Sequence, residues 1–312
     1  MSNSTGTPTV RIGRYLDKSW DWDAFPANSG YPELERAQMR YVGAGGSPKV
    51  NDTTTLPPGA FTCSLIFQEP GRKASTHHHK IEELFFVHSG QLTMSWQFGD
   101  ELVDFVVGPG DAVLNPTSRP HGFRNAGTED CIMQIMVATA APMHPTYTDH
   151  PSEHDVSPLR QAAPEKRAEY MQEVERYLAR ASSTKPVSAG VEGGTFSAAP
   201  YVMAKENGGL VTPSHFTYAV DTLTRDGATP AYTLDVEEAF MVLGGVLDVE
   251  TYDAAGNVTT QRCGVRDLAF VPAGVKHRIV NRDAATARFG AITGSKDAGP
   301  IAWQKSLTAA AV

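Results

Sequence analysis

The chain has 312 residues, 41% hydrophobic and 20% charged, with 27 Lys and Arg against 35 Asp and Glu for a formal charge of −8. That is about two domains' worth of chain at roughly 100–200 residues each. No apolar run reaches the roughly 18 residues a membrane helix needs, and the acidic balance excludes a binder of nucleic-acid phosphates.

The N-terminus, MSNSTGTPTV, lacks the basic and apolar regions of a signal peptide, so the cytoplasm is the expected compartment. Cys63, Cys131 and Cys263 are widely spaced and form no CxxC pair, which argues against a disulfide framework and a thiolate zinc site. The 28 Gly and 21 Pro, set among short Val, Ile, Thr and Phe runs, point to an all-β sandwich or barrel.

Residues 1–40, with Trp20, Trp22, Phe25 and Tyr31, are expected to form an arm or flanking strands packed on a barrel. Residues 41–140 read as short strands bounded by Pro-Gly, Ser-Gly, Gly-Asp and Gly-Pro-Gly turns. Residues 141–199 read as a linker. It holds one helix at about 157–182, with Tyr170, Met171, Val174, Tyr177 and Leu178 as its apolar face, and a Gly-, Ser- and Ala-rich stretch at 184–199. Residues 200–295 again read as strands, with Ala-Ala-Gly-Asn as a hairpin turn, and 296–312 as a C-terminal tail.

The two strand-rich segments are copies. At an offset of 155 residues Phe61 falls on Phe216, Glu82-Glu83 on Glu237-Glu238, Phe85 on Phe240 and Gly90 on Gly245. At 156, Asp111 meets Asp267, Pro116 meets Pro272, His121 meets His277 and Asn125 meets Asn281.

The first copy carries a triple histidine. Side chains alternate along a strand, so His77 and His79 share a face while His78 points away. Glu83 can add an oxygen and His121 a third imidazole. Three neutral nitrogens and a carboxylate suit iron, nickel, zinc or manganese. The competing reading is a solvated histidine run, a charged Glu82-Glu83 turn and a core His121.

The spacing decides between them. Gly71, His77, His79, Glu83 and Gly90 match G(x)5HxH(x)3–4E(x)6G, and Gly110, Pro116, His121 and Asn125 match G(x)5PxG(x)2H(x)3N with Ser118 at the middle glycine. The first copy thus resembles the cupin superfamily. The second resembles it less closely: Glu238, Pro272, Gly274, His277 and Asn281 match, but Tyr232 and Leu234 replace the paired histidines and Asp226 and Arg266 the leading glycines. The resemblance implies a bicupin, two jelly-roll β-barrels joined by a helical connector, with metal in the first and a degenerate site in the second. A hydrogen bond between Glu238 and His277 is one reading of that pair, whose role is left open.

From the resemblance, His77, His79, Glu83 and His121 are expected to ligate a divalent transition metal, with iron(II) first and nickel, manganese or zinc as alternatives. Glu83 doubles as a candidate proton acceptor. The leading reading is a non-haem iron dioxygenase cleaving a small aromatic, enol or dicarbonyl compound, so that O2 is a co-substrate. Phe61, Phe85, Phe86, Trp96, Phe105 and Phe123 are compatible with a flat apolar substrate. The alternatives are a non-oxidative lyase, isomerase, decarboxylase or hydrolase, or a non-enzymatic binding module. Expected partners are a small molecule and a second copy of the chain as homodimer. His88 and His78 are expected to face away from the metal, Arg119 and Arg124 to be surface residues or anion holders, and His144, His150 and His154 to lie in a surface loop.

Overall fold

A computed structural model describes residues 9–45, 47, 49, 52–139, 144–153, 158–283 and 285–303. His154 and nearly all of the tail lie outside the described residues. The fold is all-β and divides into two compact units. One comprises Lys18–Thr184 with Leu210–His215, the other Met1–Asp17 with Lys185–Gly209 and Phe216–Val312.

Strand β1 (Arg11–Gly13) belongs to the second unit. The first unit follows with β2 (Ala37–Val42), β3 (Thr62–Gln68), β4 (Lys73–His78), β5 (Glu83–Ser89), β6 (Leu92–Phe98) and β7 (Glu101–Val107). It continues through β8 (Ala112–Asn115), β9 (His121–Arg124), β10 (Cys131–Val137), β11 (Thr146–Tyr147), β12 (Arg160–Gln161), α1 (Pro164–Val174) and β13 (Leu178–Ala179). These strands form two six-stranded sheets, β13-β8-β5-β10-β3-β2 and β11-β4-β9-β6-β7-β12. Phe85, Phe123, Trp96, Met94, Phe105 and Ile135 are among the side chains that fill the barrel. The alternation in β7 shows the logic: Val103, Phe105 and Val107 are buried while Val106 is half exposed.

The second unit contains β14 (Val187–Val191), β15 (Gly194–Val202), β16 (Thr217–Thr224), β17 (Glu238–Gly244), β18 (Leu247–Tyr252), β19 (Val258–Cys263), β20 (Leu268–Val271), β21 (His277–Val280) and β22 (Thr286–Thr293). Its sheets are β1-β20-β17-β22-β16-β15-β14 and β19-β18-β21, over a core of Phe196, Phe240, Phe289, Val249 and Ile279. The Ala-Ala-Gly-Asn turn joins β18 to β19, with Gly256 at φ +84° and the Asp253 carboxylate accepting from the Ala255 and Asn257 N–H groups.

Two expectations are corrected. The helix at about 157–182 is shorter, because Pro164 sets its first turn and the flanking residues are extended: Arg160–Gln161 pair with β7 and Leu178–Ala179 with β8. Its apolar face nonetheless packs as read, with Val174 buried and Tyr170 stacked on Phe98 at 4.1 Å. The stretch at 184–199 is no linker. It forms the hairpin β14–β15, whose turn uses Gly193 at φ +70° and whose small side chains line a sheet edge. Of the arm or flanking strands expected before residue 41, the strands are what forms, since Arg11–Gly13 pair with β20 and Ala37–Val42 with β3.

Candidate metal centre

The site is built across both sheets of the first barrel. Strand β4 carries His77, which lies opposite His121 of β9, and His79 follows one residue beyond the end of β4. Glu83 opens β5 in the facing sheet, opposite Asn115 and Val137. His79 is fixed through its own carbonyl, which accepts the Ser118 N–H at 2.7 Å. One ligand atom from each of His77, His79, Glu83 and His121 lies within 4.8 Å of all the others, and the four residues are 1–6% exposed.

The imidazoles are presented in a defined sense. His77 Nδ1 sits 2.8 Å from the Ser75 carbonyl and His121 Nδ1 2.9 Å from the Arg119 carbonyl. A backbone carbonyl only accepts, so each Nδ1 is the protonated nitrogen and each Nε2 lone pair is left for the cavity. His121 Nε2 is also 3.0 Å from Glu83 Oε2, and His79 Nε2 is 3.5 Å from the same oxygen. A neutral His121 has one N–H and cannot satisfy both the Arg119 carbonyl and Glu83. A cation between the lone pairs and the carboxylate removes that conflict, so the donor set fits a divalent metal.

The electrostatics agree. Burial, reinforced by His121 and His79, holds His77 well below the ordinary histidine range, and burial lowers His79 as well. Burial alone would raise Glu83, but His79, His121 and Arg36 outweigh it and hold the carboxyl below its usual range. Near neutrality the set is therefore two unprotonated imidazoles, His121 and an anionic carboxylate.

Around the ligands lies a cavity walled by Phe25, Phe85, Phe123, Ile135 and Pro145, with Arg36 and Gln38 as its other polar members. Of the six aromatic residues named from sequence, Phe85 and Phe123 face it and all six are buried. Arg36 was not visible in the motifs. Its guanidinium is 6% exposed, lies 4.0 Å from the Phe25 ring centroid, donates to the Leu34 carbonyl and meets the Tyr147 hydroxyl. Burial draws its pKa down to about 10, which leaves it a cation at neutral pH. Tyr147 reaches the site because β11 pairs with β4, placing Tyr147 opposite His77 with the rings 5.9 Å apart. His150, expected in a surface loop, is buried and packs on Tyr147 at 4.6 Å, whereas His144 is exposed. Strand pairing between distant segments brought these residues in, and no local spacing announces it.

The remaining residues singled out from sequence have structural partners. Arg119 pairs with Glu173 of α1 and lies 4.5 Å over Phe98, and Arg124 pairs with Asp104 at 2.7 Å, so neither lines the cavity. His88 is half buried on the opposite face of β5, with Nε2 3.2 Å from Gln134 Oε1. Glu82 is 1% exposed, and its carboxylate accepts the Ser214 and His215 N–H groups at 2.9 and 2.7 Å. In the second barrel Tyr232 and Leu234 occupy the histidine positions. Glu238 and His277 approach to 3.2 Å without hydrogen-bond alignment, and the Tyr232 hydroxyl bonds Glu238 instead. Among the described residues no other group of histidine, cysteine and carboxylate ligands converges as the first set does.

Fold and site together define two β-barrel units with a four-residue metal-ligand set in the first. Residues 64–138 match the Cupin domain family, and the two-unit fold over the rest of the chain is cupin-like. No curated protein matches the sequence. Among solved structures it is similar to the oxalate decarboxylase–formate complex of Lactobacillus farciminis, with TM-score 0.64 and 12% identity over 95% of this chain and 88% of that one. A Bacillus subtilis oxalate decarboxylase studied for its Mn(II) centres aligns with TM-score 0.64 and 13% identity over 93% and 78% of the two chains. Vicilin from Corylus avellana aligns at 0.61 and 12%, over 93% and 86%.

Proposed function

We propose that the chain is a metal-dependent enzyme whose first barrel holds one divalent cation on His77, His79, Glu83 and His121 and acts non-oxidatively, as a lyase. The observation that supports this best is the convergence of the four ligand atoms within 4.8 Å at the base of a cavity with aromatic walls. When bound, the cation supplies Lewis acidity that polarises a substrate oxygen and stabilises developing negative charge. His77 and His121 hold their lone pairs in place through the carbonyls of Ser75 and Arg119. Glu83, kept anionic, can accept a proton at the carboxylate oxygen that it does not turn toward His121. Phe85, Phe123 and Phe25 keep the surroundings apolar, which strengthens these interactions.

The fold shared with oxalate decarboxylases favours the non-oxidative reading over the iron dioxygenase expected from the ligand set, and makes manganese the metal to test first. The deciding experiment loads the protein with Mn(II) or Fe(II) under argon, measures metal per chain, and screens small organic acids for turnover with and without oxygen. Turnover at an undiminished rate under argon is expected. Activity that requires oxygen and consumes it stoichiometrically would return the assignment to a dioxygenase.

A further inference from the structure

We infer that Arg36 is a specificity residue that receives the carboxylate of an organic acid whose apolar body lies against Phe25, Phe85 and Phe123. This rests on the first-barrel cavity being the reaction site. The guanidinium is more than nine-tenths buried and lines the cavity with His77, His79 and Glu83. Among the described residues no carboxylate forms an ion pair with it, and its contacts are the Leu34 carbonyl, the Tyr147 hydroxyl and the Phe25 face. A buried cation is costly unless an anion accompanies it, and the guanidinium fork is shaped for a carboxylate. Glu83 is the nearest protein anion in the cavity, and it is committed to His79 and His121.

A second orphan points the same way. Gln38, in β2 just after Arg36, lines the same cavity. Its Nε2 is used by Ser64 Oγ at 3.0 Å while its buried Oε1 has no partner. Arg36 and the start of β2 thus present a charged donor and an unused acceptor beside the metal ligands. Phe25 and Arg36 also line a second cleft with Trp22, Pro26 and Glu35. The site selects a small monocarboxylate, because one unpaired cation faces several apolar walls in a cavity of about 30 Å³.

The test is calorimetric titration at pH 8 of wild type, Arg36→Gln and Arg36→Lys with acetate and its neutral isostere acetamide. Metal-free and Mn(II)-loaded protein are both used, and metal content is measured in parallel. In metal-free wild type, acetate is expected to bind at least about tenfold more tightly than the amide, the scale of one charge-assisted hydrogen bond. Arg36→Gln should abolish that preference with metal content unchanged, and Arg36→Lys should keep it in weakened form. Equal binding of the two probes to wild type, or a preference that survives in Arg36→Gln, overturns the inference. If Arg36→Gln does not fold, the wild-type and Arg36→Lys titrations decide. If wild type takes up no metal, the enzyme reading fails while the metal-free titration still judges Arg36.

Discussion

Ser118, Asp226 and Arg266 are the only non-glycine residues with positive φ among those described, at +63°, +61° and +68°. They are also the three positions where the repeated motifs exchange a glycine for another residue. The backbone bonds explain why the conformation persists: Gly71 N–H donates to Asn125 O at 2.8 Å and Asp226 N–H to Asn281 O at 2.7 Å. Gly110 and Arg266 likewise donate to Val87 and Val242, each at 2.8 Å. Left-handed geometry costs an L-residue about 1–2 kcal/mol, partly offset by the lower chain entropy of a non-glycine residue when unfolded. Ser118→Gly is therefore expected to stabilise the first unit by roughly 0.5–1 kcal/mol, measurable by urea denaturation. The ligands set a pH dependence. The lowered pKa values of His77 and His79 mean that the unfolded chain takes up protons first, so stability and metal retention are expected to hold at pH 7 and to fall below about pH 6.5. Glu83, lowered too, adds stability that is lost only as pH falls through the carboxylate range. Equilibrium dialysis with elemental analysis checks this, and full metal retention at pH 4 would exclude the histidines as ligands.

At the level of elements, the ligands were legible because a motif spanning β4, β5 and β9 fixes their spacing, and His77 near the end of β4 and His79 just past it are both buried while His78 is less so. The cavity's other walls were not legible. Arg36, Phe25 and Pro145 come from segments that read as arm and linker, and only the pairing of β2 with β3 and of β11 with β4 brings them in. The β14–β15 hairpin escaped for a different reason: its Gly, Ser and Ala residues carry little apolar signal, and the partner that orders them, β16, is distant in sequence. The helix was overextended because Arg160–Gln161 and Leu178–Ala179 carry a compatible pattern but are captured as edge strands. Glu82 ties residues 214–215 to the first unit, and its role could not be read from an acidic pair in a turn. Glu82→Ala would leave the Ser214 and His215 N–H groups without their acceptor and is expected to destabilise that unit by about 2–3 kcal/mol in chemical denaturation.

For the whole molecule, duplication accounts for the length while the two copies differ chemically. The second barrel preserves the turns and the Asn281 amide bond to Leu223 O, the counterpart of Asn125 bonding Gln68 O, yet fills the histidine positions with Tyr232 and Leu234. One metal per chain is expected: His77→Ala should bring it to near zero and Tyr232→Ala should leave it unchanged in elemental analysis. A wild-type value near two would contradict the degenerate second site.

The discontinuous make-up of the two units bears on how the chain is made. Strand β1 is made before the first unit but belongs with strands made after it, and the first unit is incomplete until residue 215 has emerged. Residues 18–184 alone therefore do not complete the first unit. A gene truncated after codon 184 would expose the Glu82 carboxylate's burial site without the two amides that satisfy it. Its product is expected to precipitate or be degraded, while a chain extended through residue 215 should accumulate in soluble form.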